Sequence, residues 1–334
     1  MKKFTICLIT GLIIVFFLSG AKIPKFQGDV KPYLIIGEMA DNPDPAHYKF
    51  GRINLVAFTK KGEILISGKN TRLSLYDVSG KFIKSIGKFG KRKGEYIYLT
   101  GLSVDSKGNI ITLDKGRRKV IIYDKDGKFL YEFGKRGTGL GEFEEVTGLT
   151  LDKEDNIYVA LGHMGRFYVF TEKGKLIKEI GRLSLVEKKE EEREGIKYEV
   201  GYLNYVSFAA VNSENQLIVT EKYRNKVLVF DIKTGKFLFE FGRSGFDEGE
   251  FVGHISGVCI GPKDTIWVVD SDGGQVLVFT KRGSFITSFG TPGIDEGEFV
   301  GPKAIAYDSF NRRIAVADER NYRVQVWNLK DLRF

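Results

Sequence analysis

One heptapeptide pattern recurs along the chain and constrains its fold more than any other feature. It stands at 81–87 (KFIKSIG), 128–134 (KFLYEFG), 175–181 (KLIKEIG), 236–242 (KFLFEFG) and 284–290 (SFITSFG). The closing glycines lie 47, 47, 61 and 48 residues apart. A near-constant period of this length marks a repeat architecture, in which each unit buries its apolar face against its neighbours. The 334 residues therefore read as one domain grown by units, although length alone would suggest two.

Each unit resolves into four short strands. In the second, 101–105 (GLSVD) is rich in small residues, 106–109 (SKGN) is a turn and 110–114 (IITLD) is a second strand. A polar loop then leads to 120–124 (VIIYD), a KDG hairpin turn and the alternating strand 129–134. The 40 glycines and 7 prolines suit many short strands joined by tight turns. Four antiparallel strands per unit at this period fit the blade of a β-propeller. The first strand would line the central channel, which accounts for Gly148, Ala209, Ala210, Ala304 and Ala306. The last unit reaches 324–327 (VQVW) with no fourth-strand pattern after it, whereas 33–37 (YLIIG) carries that pattern ahead of the first unit. The fold expected is all-β, a six-bladed propeller of four-stranded antiparallel blades, with the ring closed by the N-terminal strand joining the last blade. Closure removes sheet edges that would otherwise invite aggregation.

The units resemble NHL repeats. The motifs that carry the resemblance are Gly-Glu-Phe at 249–251 and 297–299, Gly301-Pro302, Gly108-Asn109, Ala317-Asp318 and 323–326 (RVQV). They span roughly residues 33 to 334. The first and third units depart from the pattern, since Gly68 and Leu161 stand where the others end the second strand in an acid.

Ahead of the repeats, Lys2 and Lys3 precede the uncharged apolar run 4–18, followed by Ser19-Gly20-Ala21. This is the layout of an export signal cleaved after Ala21, and the run is short for a membrane span. The expectation is a signal peptide over 1–21 and a single propeller over 22–334, periplasmic or extracellular. The chain would be membrane-anchored only if the N-terminal segment is retained. Cys7 would leave with the signal, so Cys259 has no disulfide partner and reads as a buried small hydrophobe. A monomer is expected.

The net charge is +9, or +7 without Lys2 and Lys3. Such a balance matters when it gathers on one face. The loops between second and third strands hold Lys69, Arg72, Lys115, Arg117, Arg118, Lys222, Arg224, Arg320 and Arg323. These nine form the candidate ligand-binding set, facing a protein, a peptide or an anionic glycan. Some animal NHL propellers bind RNA through such a face. Here only Tyr223 and Tyr322 are placed to stack on bases, and export argues against nucleic acid. The reading favoured is a non-enzymatic binding scaffold with no cofactor.

The challenger is a metal-dependent hydrolase or lyase. His47, His163 and His254 belong to the first, third and fifth units on the same face, and three His can hold a catalytic zinc. The arrangement resembles in outline a propeller lyase that cleaves peptidyl-hydroxyglycine. The strand-ending acids Asp114, Glu221, Asp270 and Asp318 could likewise ring a ligand, but carboxylates at such positions more often accept hydrogen bonds from their own loops. Asp124 and Asp270 each open a calcium-loop-like run, yet the twelfth positions hold Lys135 and Lys281, so both are plain turns. Finally, the long spacing contains an insertion at about 185–201 whose run 187–194 (EKKEEERE) reads as a short helix or an unstructured loop.

Overall fold

Period-two alternation converts every unit into a meander of four antiparallel strands. The computed structural model describes residues 31–37, 52–68, 72–181, 190–193, 196–199, 203 and 205–330. Six four-stranded sheets result, each running from an inner to an outer strand. The inner strands are Ile53–Phe58, Leu99–Val104, Gly148–Leu151, Val206–Val211, Ile255–Ile260 and Pro302–Asp308, which head blades 1 to 6 in that order.

The ring closes as the sequence predicts. Leu34–Gly37 supplies the outer strand of blade 6, pairing antiparallel with Arg323–Asn328 from Leu34↔Val326 to Gly37↔Arg323. Ile36 of this strand is buried in a cluster with Ile53, Ile64, Val324 and Val326, so the seam between the last and first blades has a core of its own.

Six hydrophobic clusters among the described residues fill the six junctions between neighbouring blades. The Gly-Glu-Phe motif explains part of this packing. Its aromatic, Tyr96, Phe143, Phe251 or Phe299, inserts into the core before the inner strand begins. The preceding Glu caps its own loop, as where Asp247 donates its backbone N–H to Glu250 Oε2 at 3.0 Å.

The small residues of the inner strands follow from close approach at the axis. A Cβ on Gly257 would lie 2.8 Å from the Lys303 carbonyl oxygen, and one on Gly101 would lie 2.9 Å from the backbone nitrogen of Leu149. Between the inner strands lies a channel of about 330 Å³.

The described part of the insertion is a two-stranded ladder, not a helix. Glu190–Arg193 and Ile196–Glu199 pair antiparallel, Glu190 with Glu199 and Arg193 with Ile196. Charge pairs four apart support a helix only weakly, and this run lacks an apolar stripe to anchor one. Residues 1–30, with the expected signal and its cleavage point, lie outside the described residues, as do His47 and Lys69. Among the described residues no helix is long and apolar enough to cross a membrane.

Candidate functional site

The face carrying the second-to-third-strand loops also carries the entries into each blade. The acids that end the second strands hold these two loop types together. Asp114 accepts backbone N–H bonds from Ile97, Tyr98 and Gly116 at 2.9–3.0 Å. Asp270 accepts from Val252 and Gly273, and Glu221 from Tyr205 and Arg224. Asp318 accepts from the Val300 N–H, Asn321 Nδ2 and Arg323 Nε. All four acids are fully buried, so their oxygens act as loop clamps.

Three of the nine candidate cations turn inward. Arg117 forms a two-pronged bond to Glu132 at 2.7 and 2.8 Å, Arg224 pairs with Glu240 at 3.0 Å, and Arg323 pairs with Asp318 at 3.0 Å. Arg323 is 1% exposed. These guanidinium groups tie the loops to the outer strands or to the loop-clamping acid and are not offered to a ligand. Lys115 is half-buried against Glu145 at 2.8 Å, and Arg118 Nε donates to the Glu144 carbonyl. Arg72 and Arg320 are exposed. Lys222 lies 5.9 Å from the Tyr205 ring centre and 5.6 Å from that of Tyr223.

A second ring of residues surrounds the axis on this face. In five blades the inner strand opens on a β-bulge, and the bulged residue is polar each time: Asn54, Thr100, Ser207, Ser256 and Lys303. In blade 3, Thr147 stands just ahead of Gly148 at the corresponding place. Bulges re-aim side chains and occur beside functional sites. Three of these residues latch onto the first carbonyl of the next inner strand: Asn54 to Leu99, Thr147 to Val206 and Ser256 to Pro302. Lys303 breaks the pattern. It forms no hydrogen bond or ion pair among the described residues, and its Nζ stands 6.0 Å from the ring centre of Phe208.

Phe208 projects across the axis. It belongs to blade 4 but packs against the clusters at the blade 6–1 and 1–2 junctions as well as its own 4–5 junction, so its ring reaches across the channel. Four of the equivalent positions hold Gly101, Gly148, Gly257 and Ala304, which leave room for it. Phe208 also lines the channel of about 330 Å³, and Lys303 does not; the two stand at the loop-face end of the axis and, with the loops around them, make up a cup. Tyr98, Tyr205 and Tyr223 form part of its wall, with Tyr205 and Tyr223 edge-to-face at 5.5 Å. Burial, then the Glu319 carboxylate, push the Tyr98 hydroxyl above its ordinary range. Burial drives the Lys303 amine below the usual lysine range; Glu319 and Asp272 pull it back up, and Lys222 adds to the lowering. A cation–π contact at 6.0 Å is at the outer limit of that interaction and does not offset burial.

The histidines are separate features of the wall. His254 Nδ1 lies 2.7 Å from Asp272 Oδ2, and its backbone N–H donates to the same oxygen. His163 packs on Tyr205 at 4.7 Å, with Nε2 3.8 Å from Glu145. Among the described residues no three His, Cys, Asp or Glu side chains converge to hold a metal. Cys259 is buried, and burial pushes its thiol far above the usual range.

The sequence matches a protein family (DUF5128) described as a 6-bladed beta-propeller, over residues 46–126, 109–180 and 247–334. The chain belongs to this family. The NHL likeness is one of motifs. Similar solved structures include a streptogramin B lyase, 18% identical, with a TM-score of 0.57 and coverage of 88% of this chain and 87% of that one. Another is a catalytically inactive virginiamycin B lyase from Staphylococcus aureus with quinupristin, 17% identical, with a TM-score of 0.55 and 89% of each chain covered. At these identities the likeness is one of fold. No curated protein matches the sequence.

Sequence reasoning missed the cup. The available signal was the register of the units: aligning Asn54, Thr100, Thr147, Ser207, Ser256 and Lys303 exposes one lysine in a ring of small polar residues.

Proposed function

We propose that this six-bladed propeller, exported from the cytoplasm, binds a carboxylate-bearing ligand in the loop-face cup. The ligand would be the acidic end of a peptide or the uronate of a glycan. The observation that carries the reading is the pair Lys222 and Lys303. Lys222 adds to the lowering of the Lys303 amine, Glu319 and Asp272 oppose it, and neither lysine forms an ion pair among the described residues. An incoming carboxylate would pair with Lys222 and accept a hydrogen bond from the Lys303 amine, and the partly sheltered surroundings strengthen the attraction. The tyrosine wall supplies apolar area with polar tips, the usual make-up of a small-ligand site.

The test is titration calorimetry with poly-L-glutamate and with oligogalacturonate. The variant Lys222→Glu/Lys303→Met should bind neither probe. Lys81→Glu/Lys128→Glu, on the opposite face, should bind like the wild type. Equal binding by the cup variant contradicts the proposal.

A second reading is acid–base catalysis on His254. Its Nδ1 is fixed by Asp272, which leaves Nε2 to exchange a proton with a bound substrate. Similar folds among solved structures include lyases. A metal-dependent version would require His47, His163 and His254 together. Metal analysis of the purified protein tests it: zinc at one equivalent, lost in His254→Ala, supports that version, and a metal-free wild type rejects it.

A further inference from the structure

We propose that Lys303 is a carbonyl-reactive amine that forms an imine with an aldehyde acid or 2-oxo acid seated in the cup. The inference rests on the anion-binding reading for the grip on the ligand's carboxylate, and goes beyond it in assigning a covalent step.

Four observations point the same way. First, Lys303 is the one charged residue among the six that open the inner strands, where the other blades place Asn, Thr or Ser. Second, the bulge between Pro302 and Ala304 turns it out of the strand's register, and unlike Asn54, Thr147 and Ser256 it does not latch to the next blade. Third, it is half-buried over the Phe208 ring, with no hydrogen bond or ion pair among the described residues, so its nitrogen is not engaged elsewhere. Fourth, a second cation, Lys222, stands on the loop after the second strand of blade 4, the blade that supplies Phe208. Desolvation and a neighbouring positive charge are the two standard means of keeping a lysine amine unprotonated and nucleophilic. Burial does lower the Lys303 amine here, with Lys222 acting in the same direction and Glu319 and Asp272 opposing.

The two lysines divide the work. Lys222, over the rings of Tyr205 and Tyr223, is placed to hold the carboxylate. The Lys303 Nζ lone pair adds to the ligand's carbonyl carbon. Both amine protons pass from nitrogen to the carbonyl oxygen, which leaves as water as the C=N bond forms. No oxidant or reductant is required. Glu319 and the Asp272–His254 pair supply groups able to carry the proton.

The experiment uses the full chain with glyoxylate as probe and cyanoborohydride to trap the imine, with adducts located by peptide mass mapping. At neutral pH, Lys303 should be trapped about tenfold or more faster than Lys81 and Lys128 on the opposite face, as expected of an activated amine. Trapping at equal rates, or only at other lysines, overturns the proposal. Lys303→Arg keeps a basic side chain of similar length but no imine-forming amine: it should fold with a single cooperative melt, still bind poly-L-glutamate and lose the adduct. If wild type fails to bind poly-L-glutamate yet traps glyoxylate selectively at Lys303, the anion reading fails and the imine site stands.

Discussion

Arg117→Met distinguishes a loop-holding cation from a ligand-holding one. The Arg117 and Glu132 side chains are 10% and 8% exposed and joined by a two-pronged bond at 2.7 and 2.8 Å. Removing the guanidinium leaves a buried carboxylate with the Gly94 N–H at 3.2 Å as its remaining hydrogen bond among the described residues. Breaking such a pair costs about 3–5 kcal/mol. In the native protein burial pushes the Glu132 carboxyl up, but Arg117 and the Gly94 N–H outweigh it and hold it below the ordinary range. That lowered value contributes stability above the unfolded value, which is lost as pH falls through the folded one. In Arg117→Met burial prevails, the sign reverses, and stability falls as pH rises through the carboxylate range. Urea unfolding at several pH values measures both effects. Arg117→Met/Glu132→Leu should recover most of the loss, because no lone charge remains buried. A single variant costing under about 1 kcal/mol, with no pH reversal, refutes the assignment of Arg117 to the scaffold.

Further outcomes follow from the same contacts. Lys303→Met should raise unfolding stability at neutral pH. In the wild type, between the lowered native value and the ordinary lysine value, the unfolded chain holds a proton that the folded chain does not, so stability rises with pH there. A wild-type slope in that window matching the variant's would contradict this. Phe208→Ala should cost about 1–3 kcal/mol, less than for a fully buried phenylalanine because the ring is half-buried, and should open the axis; calorimetric melting reads the loss. Deleting residues 22–37 strips the outer strand from blade 6 and Ile36 from the seam, at roughly 5 kcal/mol. Unchanged melting of the truncated chain would disprove the closure.

The fold was legible because its signal is repeated. Each unit restates the turn glycines, the alternating outer strand and the Gly-Glu-Phe plug, so errors in one copy are corrected by the others. Even the ring closure could be read, since Leu34–Gly37 matches the strand that the last unit lacks. The site was less legible because it lies in departures from the repeat. Phe208 sits beside Ala209 and Ala210, in a strand whose small residues suggest an open channel. Only contacts across the axis show that its ring spans one. The inward arginines were a readable pattern that went unread. Glu132, Glu179 and Glu240 share one position of the closing heptapeptide and pair with Arg117, Arg166 and Arg224. Ser85 and Ser288 hold that position in the first and fifth units. The number of cations per loop does not tell a paired, buried guanidinium from an exposed one, whereas burial does. The insertion failed for another reason: a run of mixed charge fixes no periodicity, so a hairpin and a helix are equally compatible with it.

The central claim is that the cup over Phe208 and Lys303 receives the ligand. Hydrogen-exchange mass spectrometry of the wild type, with and without oligogalacturonate or poly-L-glutamate at saturation, tests it most directly. The account predicts added protection in the segments holding Tyr98, Tyr205, Lys222 to Tyr223 and Lys303, and none in the opposite turns at 77–81 and 124–128. Protection confined to those opposite turns, with the cup segments exchanging as in the free protein, would contradict it.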